Sequence, residues 1–225
     1  RGADLDAFKY FTERPNTIEL PLTVSYRCPK AVVANAQKIY PDIEPWELAQ
    51  EGVVRKKGSV EEIQNNDFVL ARNLRPLVDV FLQLVSLNKK CTIVGKELEK
   101  GLLTLLQGIP DSEPISELEK YLDEYLDKVK ERLSKQGIKN PSNHPKFEVV
   151  DEKVHVLKMI SERCSDVGEL ITMITSIFQE DSVAPIKLLT IHKSKGLEAD
   201  RVFYIESYEG KKLIPSQYAL TPEML

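Results

Sequence analysis

The 225-residue sequence predicts an α/β fold with a largely parallel sheet flanked by helices, plus a small, mainly helical insertion. Short apolar runs bounded by turn residues are the first sign: DFVLA (67–71), CTIVG (91–95), IKLLTI (186–191) and RVFYIE (201–206) have the length and β-branched content of buried strands. The second sign is what separates them. LRPLVDVFLQLVSLN, with helical spacing, fills the gap between the first two runs, and ELEKGLLTLLQG follows the second as a helix ending at Gly108. Strand-helix-strand-helix with such connections is the pattern of a right-handed βαβ unit in a parallel sheet. The third is composition: 42% hydrophobic and 29% charged residues describe an ordinary globular chain. Its length suits one large domain, or a core domain with a small insertion.

The remaining elements follow in order. ADLDAFKYF places apolar residues at 5, 8 and 11, the spacing of a short helix after a potential cap, Asp4. Thr17–Val24 reads as a strand dented by Pro21. Pro29 stands where a helix can start, and KAVVANAQKIY continues it to Tyr40. Residues 41–57, with Pro41, Pro45, the only tryptophan and the run RKK, read as an irregular surface loop. Beyond Gly108 the character changes. SELEKYLDEYLDKVKERLSKQG is amphipathic, with Leu118, Leu122, Tyr125, Leu126, Val129 and Leu133 on one stripe and Glu/Lys pairs on the other. KNPSNHPKFE reads as a Pro/Asn loop, and helices return at 151–163 and 166–179. The expected organisation is an α/β core of 1–110 and 151–225, interrupted by an insertion over 111–150.

Several function classes are disfavoured. No apolar stretch approaches the roughly 20 residues of a membrane span, so no membrane partner is expected. Arg1–Tyr10 has no signal-peptide core, and a start at RGAD without Met reads as a piece of a longer chain. Cys28, Cys91 and Cys164 are odd in number and form no CxxC, which predicts reduced thiols and a cytoplasmic setting. His144, His155 and His192 have no metal-ligand spacing, so no metal site is expected. A net charge of -4 argues against a non-specific nucleic-acid coat but leaves room for a localised basic groove.

The chemistry concentrates in IHKSKGLEADRVF (191–203), which lies between two strands. Ligands of parallel sheets bind beyond the carboxyl ends of the strands, so His192–Asp200 belongs on that edge. Gly196 permits close approach of backbone to phosphate, Lys193 and Lys195 supply point charges, and Glu198 can accept from sugar hydroxyls. By spacing alone a solvated loop explains the same residues at least as well.

Four motif-like segments in order, with a further stretch after them, carry a resemblance to a family. TIHKSKGLEADRVF resembles motif V of superfamily 1 DNA helicases of the UvrD/Rep type. RGAD resembles the tail of motif III, LTVSYRCPKAVV (22–33) motif IV, and FVLARN (68–73) with TIVG (92–95) motif IVa. YEGKKLIPS (208–216) is similar to the Glu-Gly-x-x-Pro stretch that follows motif V. The resemblance spans nearly the whole chain and is weakest over 111–150, the position of the family's variable 2B insertion.

The resemblance implies the second RecA-like motor domain (2A) of an ATP-dependent helicase moving 3′ to 5′ on single-stranded DNA. Tyr26 would stack on adenine and Arg27 would reach the γ-phosphate as a finger, a role that suits phosphoryl transfer. Gly196 would lie beside the phosphates and Glu198 on the ribose. Arg1, Arg72, His192 and Lys195 would touch DNA, including duplex junctions, with binding that is salt-sensitive and sequence-tolerant. Without the resemblance, Tyr26 reads as a core aromatic at a strand end, Arg27 as a surface ion pair, His192 as a structural group and Asn73 as a helix cap.

The departures are specific. Cys28 replaces a small hydroxyl residue, Ser25 stands where Asn is frequent, and Ala199 replaces a frequent aromatic. Neither a GxxxxGK[ST] P-loop nor a Walker B carboxylate pair occurs, and no motif VI follows. ATP would therefore be shared with a 1A domain outside these residues, and Mg2+ would be held there. The alternative expectation is a non-catalytic helicase-like module binding DNA or protein. Nuclease coupling is a third class, for which no carboxylate cluster is evident.

Overall fold

A computed structural model of the chain describes residues 7–18, 20–179 and 185–213. The chain divides into two compact units, Arg1–Lys57 and Gly58–Leu225.

The first unit contains α1 (Ala7–Thr12), β1 (Val24–Ser25), α2 (Lys30–Ala36) and β2 (Glu44–Pro45). β1 and β2 pair in parallel, with Val24 opposite Glu44 and Ser25 opposite Pro45. Among the described residues of the expected strand Thr17–Val24, only Val24 lies in one. Pro21 has no N–H to donate, and Leu22 is 101% exposed, with no sheet face to cover it. The helix after Pro29 ends at Ala36, short of Tyr40. Ile39 and Tyr40 are exposed, so continuing the helix would bury nothing, and the Gln37 amide instead donates to the Ile43 carbonyl at 2.8 Å to turn the chain into β2. Among the described side chains of this unit, Val33 alone is buried.

The loop before Lys57 is shaped by one glycine. Lys30 and Ala31 donate their backbone N–H groups to the carbonyls of Gln50 and Glu51, both at 2.9 Å, satisfying donors at the start of α2. For the strand of chain to pass so close, Gly52 adopts φ +65°, and a Cβ there would lie 2.4 Å from the Pro29 Cβ.

The second unit holds β3 (Phe68–Ala71), α3 (Leu74–Ser86), β4 (Cys91–Ile93), α4 (Lys96–Leu106), α5 (Ile115–Lys135), α6 (Pro145–Ser161) and α7 (Val167–Ile177). It continues with β5 (Ile186–Thr190), α8 (Ile191–Ser194), β6 (Val202–Tyr204), β7 (Ser207–Tyr208) and β8 (Lys211–Lys212). The strands expected from the apolar runs are present, and they form a parallel four-stranded sheet in the order β4-β5-β3-β6. The fold class is thus α/β, a mostly parallel sheet flanked by helices. β3 and β4, sequential in the chain, are separated in space by β5.

One core joins these layers. Val69, Ala71, Ile93, Ile186 and Leu188 from the strands meet Leu77, Val78 and Leu84 of α3, which packs on β3, β4 and β5. Leu157 and Ile160 of α6 and Leu170 and Ile174 of α7 extend the same cluster. Leu118 and Leu122 of α5 also belong to it, so the 111–150 segment shares this core through its expected stripe. Thr92 fastens β4 by donating its hydroxyl to the Ile177 and Gln179 carbonyls at 3.2 and 3.3 Å.

Caps set the helix starts. α6 begins at Pro145, several residues before the expected 151, because Pro is well placed at a first helical position and the His144 ring accepts from the Lys146 N–H at 3.2 Å. Two side chains cap the start of α7: Asp166 accepts from the Glu169 N–H at 2.9 Å, and Glu169 accepts from the Ser165 N–H, one residue before the N-cap, at 2.7 Å.

Candidate functional site

The sheet register brings the sequence-predicted residues of the second unit to one edge. Ala71 pairs with Thr190, so β3 and β5 end flush and release Arg72 and Ile191 side by side. β6 ends beside them, with the Ile205 N–H donating to the Leu70 carbonyl at 2.9 Å. β4 leaves through Gly95 after the Val94 N–H donates to Leu188 at 2.9 Å. Arg72, His192, Lys195, Gly196 and Glu198 therefore share the carboxyl edge of a parallel sheet, where ligands of such folds bind.

The segment after β5 opens with a single helical turn, α8, where a loop is expected. Thr190 in extended conformation starts it, and the Ser194 hydroxyl donates to the Ile191 carbonyl at 3.0 Å. The Leu197 N–H then donates to the Ser194 carbonyl at 2.9 Å, and Gly196 takes φ +93°. A Cβ at Gly196 would meet nothing within 4 Å. Conformation, not crowding, demands glycine there, and the backbone is open to an approaching group. His192, Lys193, Lys195 and Glu198 are exposed around this turn.

Arg72 is half-buried and lies near the Tyr204 phenol. The Tyr204 phenol is pushed above its usual range by burial first and by Glu206 second, with Arg72 opposing both. Sequence reasoning had no reason to single out Tyr204 within the RVFYI strand; its relevance is its place beside Arg72. Asn73 occupies the N-cap position of α3, but its side chain makes no capping bond. The Glu152 carboxylate of α6 accepts from the Leu74 N–H instead, and Asp151 pairs with Arg75. Two adjacent acids on α6 thus pin the helix start that follows Arg72, a long-range cap invisible in local sequence.

Arg201, inside the basic motif, is structural. It donates to the Gln64 side chain at 3.1 Å and the Glu62 carbonyl at 2.9 Å, and it lies 3.5 Å from the buried Asp67 carboxylate. These contacts hold β6 at its amino end, away from the candidate edge.

In the first unit, Tyr26 and Arg27 lie in the bend between β1 and α2, and the Cys28 N–H donates to the Ser25 hydroxyl at 3.4 Å. The core reading of Tyr26 does not hold: the residue is 73% exposed. Among the described residues its ring has Trp46 as an aromatic neighbour, with centroids 5.9 Å apart and planes inclined by 46°. Arg27 is exposed as well. Arg1 lies outside the described residues.

A polar cavity of about 360 Å3 lies elsewhere in the second unit, among α3, α6 and the β7–β8 hairpin. Asp79, His155, Met159, Glu162, Tyr208 and Glu209 line it. The hairpin turns on Glu209 (φ 49°) and Gly210 (φ 75°), both left-handed as a two-residue turn requires. Burial and then Arg75 hold the His155 imidazole below its usual range, with Glu209 and Asp151 opposing.

The three cysteines are free and partly buried. Burial pushes the Cys91 thiol up to about 12, which removes it as a nucleophile at neutral pH, and burial also raises Cys164. Among the described residues, no group of His, Cys, Asp and Glu is placed to hold a metal ion. No described helix is long and apolar enough to cross a membrane. Comparison with family models, with curated proteins and with solved structures finds no match to this chain.

Proposed function

We propose that the chain is the second RecA-like motor domain of a UvrD-like, ATP-dependent DNA helicase, acting in the cytoplasm on single-stranded DNA. The observation that carries this reading is the placement of H-K-S-K-G-L-E at the carboxyl end of the buried strand β5, flush with Arg72 at the end of β3. A basic, glycine-bearing turn on that edge suits phosphate, and the four motif-like segments occur in the order the family requires.

Each unit, taken by itself, presents groups suited to part of a nucleotide. Tyr26 offers an exposed ring face to adenine, and Arg27 a guanidinium to the γ-phosphate. Glu198 suits ribose hydroxyls, and the open backbone at Gly196 suits phosphate oxygens. Arg72, His192 and Lys195 supply donors for the DNA backbone, with Arg1 in the same role. In this reading Mg2+ and the P-loop are supplied by a 1A-type domain outside these residues. Arg27 then stabilises charge on the transferring phosphoryl group, as fingers supplied from a neighbouring domain do.

Residues 1–225 alone are expected to hydrolyse no ATP. In a protein that joins them to a P-loop domain, Arg27→Ala is expected to lower DNA-stimulated turnover at least about 1000-fold, the range typical of arginine fingers, with nucleotide binding largely kept. Turnover near wild type in that variant removes the assignment. The absence of a P-loop from these residues favours a second reading, a non-catalytic module that binds DNA or protein. It predicts single-strand binding that falls with salt and is indifferent to ATP whatever domain is joined to it.

A further inference from the structure

Trp46 stands in what reads in sequence as a featureless loop, yet the fold carries it to Tyr26. Both residues directly follow a strand of one parallel pair, Tyr26 after β1 and Trp46 after β2, and the register Ser25 to Pro45 sets them level. The Trp46 N–H donates to the Ser25 carbonyl at 3.0 Å, one residue before Tyr26, so the two rings stand on adjoining backbone rungs. The Ala49 N–H closes on the Trp46 carbonyl at 2.9 Å, fixing the chain on the far side. Their centroid separation of 5.9 Å and tilt of 46° lie within the range of favourable aromatic pairs. Tyr26 nonetheless remains 73% exposed and Trp46 39% exposed.

Two rings held against each other and still accessible present an aromatic surface that a planar group can cover. A single tyrosine on a bend samples several rotamers, and a base that stacks on it must first order it. A neighbouring indole removes part of that cost in advance. We propose that Trp46 is a positioning residue: it holds the Tyr26 ring in place and completes a two-ring platform on which a nucleobase stacks. The inference rests on the reading of this unit as a nucleotide-binding one and adds to it a residue that no motif marks. Stacking is tolerant of base identity, so the platform recognises a nucleobase by its face and leaves the phosphates to Arg27.

Trp46 is the chain's only tryptophan, so its emission reports on this spot without labelling. Titration of the 225-residue chain with ATP at up to millimolar concentration is expected to change that emission saturably, and inorganic tripolyphosphate is expected to leave it nearly unchanged. Affinity is then read from the anisotropy of an ATP carrying a fluorophore on its ribose, with circular dichroism reporting the folded state of each variant. Trp46→Ala and Trp46→Leu are both expected to weaken ATP binding by up to about tenfold, the scale of an aromatic pair. Trp46→Phe, which keeps a ring, should bind within about twofold of wild type on the same scale. Competition by tripolyphosphate should be the same in all, a split that a merely structural role would not produce. If Tyr26→Ala loses ATP affinity and folded Trp46→Leu does not, the inference is wrong and the nucleotide reading stands. If the wild-type chain binds no ATP even when joined to a P-loop domain, or Tyr26→Ala binds as well as wild type, the nucleotide reading fails and the inference fails with it.

Discussion

Single residues decide how the candidate segments are presented. Gly196 and Gly52 are both left-handed, but for different reasons. Gly196 faces open space, so its role is conformational, and Gly52 has φ +65° with Pro29 directly in the way of any side chain. Gly52→Ala is therefore expected to destabilise the first unit by about 1–3 kcal/mol, from the strained backbone and the displaced loop together. Urea unfolding followed by Trp46 emission checks it; an unchanged midpoint means the loop does not lean on Pro29. The glycine is legible in sequence as a turn former, but its partner is not. Pro29 lies more than twenty residues earlier in the chain, and nothing local ties the two together.

Among the elements, α6 ties the helices of the second unit together. It packs on α3, α4, α5 and α7, and its Asp151 and Glu152 take over the capping of α3 from Asn73. The acids sit where the positive end of the α3 dipole favours them. Glu152→Ala is expected to cost about 1–2 kcal/mol, the scale of a lost helix cap, and Glu152→Gln less, since an acceptor remains. Chemical denaturation of the chain measures both; equal losses would point to charge, not hydrogen bonding, as the source. Asn73 shows the limit of local reading. It has the right residue type and stands at the right position, yet its side chain makes no capping bond: Pro76, at the third helical position, has no N–H to give, and the Leu74 N–H goes to a carboxylate from another helix.

Across the second unit, the cavity among α3, α6 and the β7–β8 hairpin gives stability a dependence on pH. His155 faces Arg75 and Asp79 on α3, Asp151, Lys158 and Glu162 near it on α6, and Glu209 on the hairpin. Its pKa in the fold is lowered from 6.5, chiefly by burial, so the folded state resists a proton that the unfolded chain accepts. The contribution is fully present above the unfolded value and is lost as pH falls through 6.5 towards the folded value. Melting temperature is expected to drop over that interval, and His155→Gln should flatten this part of the profile. An identical slope in the variant would assign it to other groups.

The sequence by itself determined the fold class, because strand and helix periodicities are local properties of the chain. It also determined the stripe of α5, which depends on neighbours three and four residues away. Only the tertiary structure decided that β5, reached nearly a hundred residues after β4 begins, inserts between β3 and β4. That insertion puts His192–Glu198 at the middle of the edge beside Arg72. It likewise decided that Glu152 caps α3 and that Trp46 meets Tyr26. Each is a contact between distant segments, fixed by how buried surfaces and hydrogen bonds close together, and no periodicity along the chain records such closure.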